Sequence, residues 1–258
     1  LETAVGKVNA DLFVPSKEGK YPALIVAMGV KTADKDRPII LHFAETMSRL
    51  GYVVLWPRLA VLDEGTSLSE EPSTFIAGFR YLEGLDVVDK ERISFVGFST
   101  GSSIAMVATQ DPAINNRVHG LVFFGGYFDI FDYLESLVLR RMVVDEKEVS
   151  WQPDESATNH VREILETKKA KKLLEIFKAK TSDEIDAVFR GVTEEEREAF
   201  LRLSPKENLD DFKAPIFILH EKSDTFVPYS ESIKLARALP GEVIKSFMIV
   251  NLFEYVQP

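Results

Sequence analysis

Ile93-Ser94-Phe95-Val96-Gly97-Phe98-Ser99-Thr100-Gly101-Ser102-Ser103-Ile104-Ala105-Met106 decides the fold. The apolar run Ile93 to Val96 reads as a buried strand, and Ser102 onward reads as a helix. Between them stands Gly97-Phe98-Ser99-Thr100-Gly101, a G-x-S-x-G sequence set in a strand, sharp turn and helix. Such a turn holds its serine in a strained backbone conformation. Small neighbours are needed because strand and helix come close there. The helix N-terminus behind the serine offers free N–H groups and the positive end of its dipole. Five residues alone fit an ordinary Gly/Ser-rich turn equally well, so the chain on either side has to decide.

Working back toward the N-terminus, Val8 to Pro15 alternates polar and apolar residues as a strand does. Ala23-Leu24-Ile25-Val26-Ala27-Met28 is a continuous apolar run, expected of a strand buried on both faces. After the polar loop Gly29 to Asp36, Arg37 to Leu50 carries Ile39, Ile40, Phe43, Met47 and Leu50 at helical spacing. Gly51 ends that helix. Tyr52 to Trp56 is another buried strand, Leu59 to Pro72 a loop, and Ser73 to Leu85 a helix with Ser73 as its N-cap. Beyond the opening stretch, Val118 to Gly125 is a further buried strand. Ala214 to His220 and Val243 to Val250 are two more, with the helix Ser230 to Leu239 between them. Continuous apolar strands alternating with helices predict a mainly parallel sheet with helices on both faces. Ligands of such sheets bind at the carboxyl ends of the strands, where Ser99 sits.

From about Asp129 to Asp211 the strand pattern stops. Phe131–Met142, Thr158–Lys180, Ser182–Phe189 and Glu194–Leu203 read as helices, the last opened by Thr193 and an acidic first turn. The block is too long for a crossover. It is expected to be a helical cap at 129–211 inserted over the carboxyl edge of a core made of 1–128 and 212–258. The run Lys168-Lys169-Ala170-Lys171-Lys172 within it, flanked by Glu163, Glu166 and Glu175, reads as a solvated helix face.

The 258 residues suit one α/β domain carrying such an insertion. An apolar content of 45% supplies a full core, and the net charge of −10 argues against nucleic acid and against docking on anionic membranes. With no cysteine, disulfides, thiolate metal sites and a cysteine nucleophile are excluded. No apolar run is long enough to span a bilayer and none reads as a signal peptide. Leu1 leads almost directly into strand-like sequence and Pro258 follows soon after the last strand, so the chain reads as an excised piece of a longer protein. Nothing in it fixes an oligomeric state.

Taken together the chain resembles the α/β-hydrolase superfamily. Gly97 to Gly101 matches that superfamily's nucleophile elbow. Lys213-Ala214-Pro215 through Asp224-Thr225-Phe226-Val227-Pro228 is similar to its late strand and acid loop, and Ala27-Met28-Gly29-Val30 occupies the place of its oxyanion loop, with Met28 where a histidine is common. The resemblance implies an α/β-hydrolase fold with an inserted cap and a serine esterase chemistry that needs no cofactor and no metal. Ser99 would be the nucleophile, which needs an adjacent base to attack a carbonyl. The backbone N–H groups of Thr100 and Val30 would hold the oxyanion, each such donor being worth about 3 kcal/mol. Asp224 would be the acid that orients the base.

The base is the departure. In this fold the order is serine, acid, histidine, which puts the histidine in the loop Asn251 to Pro258, and that loop has none. His42, His119, His160 and His220 are out of order or out of place, and each reads as structural or surface. Tyr255 stands where the histidine is expected, in Leu252-Phe253-Glu254-Tyr255-Val256. A phenol with a pKa near 10 is neutral at pH 7 and does not accept the serine proton as imidazole does. The chain is therefore expected to be a weak or inactive variant. Two accounts fit: a His-to-Tyr variant of a working hydrolase, or a natural departure with altered activity. A third places the base in chain outside this sequence.

Phe98, Val30, Leu59 and the cap aromatics Phe131 and Tyr133 are candidates for an apolar acyl pocket, with ordinary core packing as the alternative. The partner expected is a small-molecule carboxylic ester. Two readings from other classes remain: a non-catalytic binding protein on the same fold, and a nucleotide-binding domain. The second is weak, since Gly29-Val30-Lys31-Thr32 lacks the glycines that cradle phosphates.

Overall fold

The computed structural model describes residues 1–3, 6–29, 37–58, 71–167 and 170–251. The loops expected around 30–36, 59–70 and 252–258 lie outside the described residues. A short antiparallel ribbon, β1 (Glu2–Thr3) and β2 (Gly6–Lys7), opens the chain. Then come β3 (Ala10–Phe13), β4 (Tyr21–Ala27), α1 (Arg37–Arg49), β5 (Val53–Pro57), α2 (Glu71–Glu83), β6 (Val88–Phe98), α3 (Thr100–Gln110) and β7 (Gly120–Phe124). The next segment holds α4 (Ile130–Leu139), β8 (Arg141–Val144), β9 (Lys147–Ser150), α5 (Glu155–Thr167), α6 (Ser182–Gly191) and α7 (Glu194–Leu201). Two 3₁₀ segments, Leu173–Lys178 and Pro205–Asp211, complete it. The chain returns through β10 (Ile216–Glu221), α8 (Ser230–Ala238) and β11 (Ile244–Val250).

Seven strands form the main sheet in the order β11-β10-β7-β6-β4-β5-β3. Every pairing is parallel except that of the edge strand β3 with β5. This is the mainly parallel sheet, flanked by helices, that the apolar runs called for. Side-chain alternation divides β4 between two layers. Ile25 faces α2 and α3 together with Leu55, Phe95, Phe75, Phe79 and Met106. Val26 faces the other way and meets Val54, Trp56, and Ile40 and Ala44 of α1. Phe79 lies parallel to Phe95 with ring centroids 6.1 Å apart. Each such large side chain, fully buried, contributes about 1.5–3 kcal/mol.

Several local expectations need correction. Of the face expected for α1, Ile40 is buried, but Ile39 and Leu50 are 71% and 69% exposed. Helix α2 begins at Glu71, so Ser73 lies inside it and is not its cap. The expected helix Phe131–Met142 stops at Leu139, because Arg140 adopts the left-handed conformation (φ 55°, ψ 41°). An unforeseen antiparallel hairpin, β8 with β9, follows. Its two turn residues, Asp145 and Glu146, both have positive φ, 51° and 63°, as a tight two-residue hairpin turn requires. The expected long helix Thr158–Lys180 is instead α5 followed by the separate 3₁₀ segment. Helix α7 does carry the capping box, with Thr193 and Glu196 each accepting the other's backbone N–H. Lys172 pairs with Glu175 at 2.6 Å on a half-exposed surface, in keeping with a solvated face; Lys168 and Lys169 lie outside the described residues.

The segment between β7 and β10 supplies most of a second apolar cluster, including Leu134, Leu137, Met142, Trp151, Leu165, Leu173, Ile176 and Phe200, which Val227 of the loop after β10 joins. Its two ends are fastened together and to α8. The N–H of Ile130 donates to Ser204 Oγ at 3.0 Å, and the Tyr127 hydroxyl donates to the Leu203 carbonyl at 3.1 Å. Lys206 Nζ reaches Asp129 Oδ2 at 2.7 Å. Beneath them Glu231 of α8, fully buried, accepts through Oε2 from the N–H groups of both Phe128 and Asp129 at 3.1 Å. Its Oε1 takes Lys234 Nζ at 2.8 Å, and the same ammonium reaches Asp132 at 2.9 Å.

Candidate active site

The turn between β6 and α3 places Ser99 at φ 53°, ψ −141°, a region that side-chain-bearing residues rarely occupy and that costs about 1–3 kcal/mol. The surroundings hold it there. The Ser99 N–H donates to the Phe124 carbonyl at 2.7 Å, and Ser102 N–H closes the turn onto the Ser99 carbonyl at 2.9 Å. Ser102 Oγ donates to the Phe124 carbonyl at 3.0 Å. Glycine is required on both sides for want of room. A Cβ on Gly97 would lie 2.5 Å from Ser102 Cα, and one on Gly101 would collide with the backbone carbonyl of Met28. That second contact also shows where the early loop runs: Met28 and Gly29 pass against the elbow, and a Cβ position at Gly29 lies 3.6 Å from Ser99 Oγ. Thr100 opens α3, and its backbone stands at the helix N-terminus beside Ser99.

Asp224 sits in the loop after β10. Its Oδ1 accepts from the N–H groups of Phe226 at 2.7 Å and Val227 at 3.1 Å, which fixes the carboxylate in the turn. The segment between β7 and β10 reaches across to the same loop. Trp151 Nε1 donates to the Asp224 carbonyl at 2.7 Å, and Asp154 N–H donates to the Thr225 carbonyl at 2.9 Å. His220 is fully buried beneath, Nδ1 being 2.7 Å from Ser232 Oγ and Nε2 3.0 Å from the Val227 carbonyl. A carbonyl only accepts, so Nε2 carries a proton. Both ring nitrogens are engaged, and His220 is a structural residue rather than a stray base. His42 and His119 are exposed.

Ser99, Thr100 and Asp224 line one cavity of about 480 Å³. Met28, Gly29 and Ile104 contribute from the core side. Ile130, Tyr133 and Leu134 of α4, with Ala157, Val161, Ile164 and Leu165 of α5, line it from the other. The α5 residues recur at helical spacing, so one stripe of that helix lines the cavity that Ser99 also lines. Glu71, fully buried, and His160 are the other ionisable groups in the wall apart from the tyrosines. His160 is on the cavity side of α5, one residue from Val161.

Of the candidate pocket residues, Tyr133 is in the cavity wall and two others are not. Phe98 packs edge-on between Phe43 and Phe124, with centroid distances of 6.1 and 6.0 Å. Phe131 packs against Phe189 at 4.5 Å and behind Phe200 at 6.5 Å, and only the last of these lines the cavity. Val30, Leu59 and Tyr255 lie outside the described residues. Burial lifts the phenols of Tyr127 and Tyr133 well above their ordinary value, with the negative charge of Asp224 adding to the effect at Tyr133. Among the described residues no cluster of three or more acidic or histidine side chains is arranged to hold a metal ion, and no helix is long and apolar enough to cross a membrane.

Comparison with known proteins gives a consistent outline. The BD-FAE family model matches residues 87–239. Among solved structures, the 2,6-dihydroxy-pseudo-oxynicotine hydrolase superposes with a TM-score of 0.61 at 15% identity, over 94% of this chain and 57% of that one. Est1E from Butyrivibrio proteoclasticus gives 0.55 at 15% identity, over 95% of this chain and 84% of its own, and has also been solved with ferulic acid bound. The Pyrococcus horikoshii acylaminoacyl peptidase gives 0.59 at 14% identity, over 95% of this chain but 35% of its own. The chain thus spans little more than half of the first of these and about a third of the peptidase. At these identities the likeness is one of fold, the α/β-hydrolase fold. Comparison with curated proteins yields no match.

Proposed function

The chain belongs to the BD-FAE family, an α/β-hydrolase-type esterase domain, and on that premise we propose that it is built to hydrolyse carboxylic esters through an acyl-enzyme on Ser99. The observation that carries this is the shared cavity: a serine on a strained elbow and an aspartate in a fixed turn face one apolar space. Ser99 Oγ attacks the ester carbonyl, its proton passing to the departing alcohol as the ester C–O bond breaks, and water then cleaves the acyl–Ser99 bond to release the acid. The Thr100 N–H, with a second donor from Val30, receives the developing oxyanion. Asp224 supports the proton acceptor, and that acceptor's place is taken by Tyr255.

The apolar wall suits an uncharged acyl group of short to medium length or an aryl acyl group, since a cavity of about 480 Å³ lies within the range of small-molecule sites. The ferulic acid carried by the neighbouring Est1E structure belongs to the aryl kind. With a phenol in place of imidazole, turnover is slow; loss of a base from such a unit costs on the order of a million-fold. A second reading, a ligand-binding protein with no turnover, is favoured by that same residue.

Two measurements separate them. A fluorophosphonate probe labels Ser99 if the elbow is a working nucleophile site, with Ser99→Ala as the blank. Tyr255→His raises p-nitrophenyl ester hydrolysis by orders of magnitude. An unlabelled Ser99 together with an inert Tyr255→His variant leaves only the binding protein.

A further inference from the structure

We propose that the Tyr133 hydroxyl is the cavity's hydrogen-bond donor for a neutral oxygen of the bound ligand. Tyr133 is 5% exposed, and it lines the cavity with Ser99 and Asp224. Its ring is held by stacking on Tyr127, with centroids 5.5 Å apart and planes 7° from parallel. Tyr127 is fixed in turn by its own hydroxyl, which donates to the Leu203 carbonyl at 3.1 Å. The phenol oxygen of Tyr133 therefore has a set position. The two stacked tyrosines differ in one respect. The Tyr127 hydroxyl is satisfied, whereas among the described residues the Tyr133 hydroxyl has no hydrogen-bond partner. The Tyr133 oxygen is not among the fully buried polar atoms that lack a partner, so it opens into the cavity, where a ligand acceptor takes the place of water.

The charge around it selects the acceptor. Burial and the Asp224 carboxylate keep the phenol protonated throughout the physiological range, so it donates and does not act as a base. An anionic ligand oxygen in the same cavity is repelled by Asp224, so the acceptor is a neutral ester or alcohol oxygen rather than a carboxylate. The site then favours an intact ester over the acid released from it. This inference rests on the cavity taking esters, as proposed above, but not on Ser99 turning them over.

The test is a binding experiment in a Ser99→Ala background, which removes turnover. Methyl cinnamate, its matching hydrocarbon with methylenes in place of the ester group, and cinnamate are titrated by calorimetry, with and without Tyr133→Phe. This substitution keeps the stacked ring and deletes only the hydroxyl. The expected result is a loss of about five- to tenfold in affinity for the ester alone, with the hydrocarbon unchanged and cinnamate the weakest ligand throughout. Equal losses for ester and hydrocarbon, no loss at all, or an ester that does not bind would each overturn the proposal. Fluorophosphonate labelling of Ser99 in the parent chain is read separately. Labelling without ester discrimination sinks the Tyr133 assignment and leaves the hydrolase, and the converse result does the reverse.

Discussion

Replacing Glu231 by alanine probes how the segment between β7 and β10 is held. The carboxylate is fully buried on α8 and accepts from the N–H groups of Phe128 and Asp129, both at 3.1 Å. Phe128 and Asp129 are themselves 7% and 5% exposed, so water does not readily replace the lost acceptor. Each buried donor left without a partner costs about 1–3 kcal/mol, which puts Glu231→Ala at roughly 2–6 kcal/mol. Lys234 adds little, since it is partly exposed and keeps Asp132 at 2.9 Å. Against a typical total stability of about 5–15 kcal/mol this is a large fraction. Glu231→Gln is the informative contrast. Its amide oxygen still serves both N–H groups, but the oxygen that accepts from Lys234 becomes an NH2 donor, so that one hydrogen bond is lost and the ammonium turns to Asp132; the expected cost is about 1–1.5 kcal/mol. Urea denaturation measures both. Hydrogen exchange at the Phe128 and Asp129 amides locates the effect, with protection lost in the alanine variant and kept in the glutamine variant. An alanine variant within about 0.5 kcal/mol of the parent, or a glutamine variant as unstable as the alanine one, refutes the reasoning.

Two other outcomes follow from the same physics. Ser99→Gly relieves the backbone at φ 53°, ψ −141°; the relief exceeds the entropic cost of glycine by about 1 kcal/mol. The melting temperature should rise by about 2–4 °C as fluorophosphonate labelling disappears, and an unchanged or lower melting temperature argues that the elbow carries no strain. At Lys234, burial opposes the charged form, but Glu231 and Asp132 outweigh it and hold the ammonium above its ordinary 10.5. Up to that value both folded and unfolded chains keep the proton and the stabilisation is complete. Above it the unfolded chain loses its proton first, so stability falls with rising pH until the folded form also titrates. Lys234→Met should flatten this alkaline limb in denaturant midpoints taken between about pH 9.5 and 12; an unaltered slope removes Lys234 as its source.

The sheet was legible because strands buried on both faces leave nothing for polar residues to do. Ala23 to Ala27 and Val53 to Trp56 declare themselves as unbroken apolar runs. The elbow was legible for a steric reason: only glycine fits beside Ser102 and beside the Met28 carbonyl. The hairpin β8–β9 was hidden because its turn is Asp145-Glu146, where asparagine or glycine normally signals two left-handed residues. Phe98 and Phe131 look like pocket residues by composition, yet each is taken up by aromatic neighbours from distant parts of the chain. The tie from Trp151 to the loop of Asp224 and the burial of Glu231 were likewise invisible. Each joins residues some 70 to 100 positions apart, and no local pattern records a partner at that distance. The stripe Ala157, Val161, Ile164 and Leu165 was readable as an apolar face, but not what it would face.

The bond from the Trp151 indole to the Asp224 carbonyl bears on how such a chain can be rebuilt. Grafting a different roof onto this sheet, with residues 130–211 exchanged for a shorter or foreign segment, looks like a change of selectivity alone. It would also take away a support of the loop that carries Asp224. Transplants that keep an indole donor at that point should behave as exchanges of binding specificity. Those that omit it should come out disabled whatever acyl group they were shaped to admit.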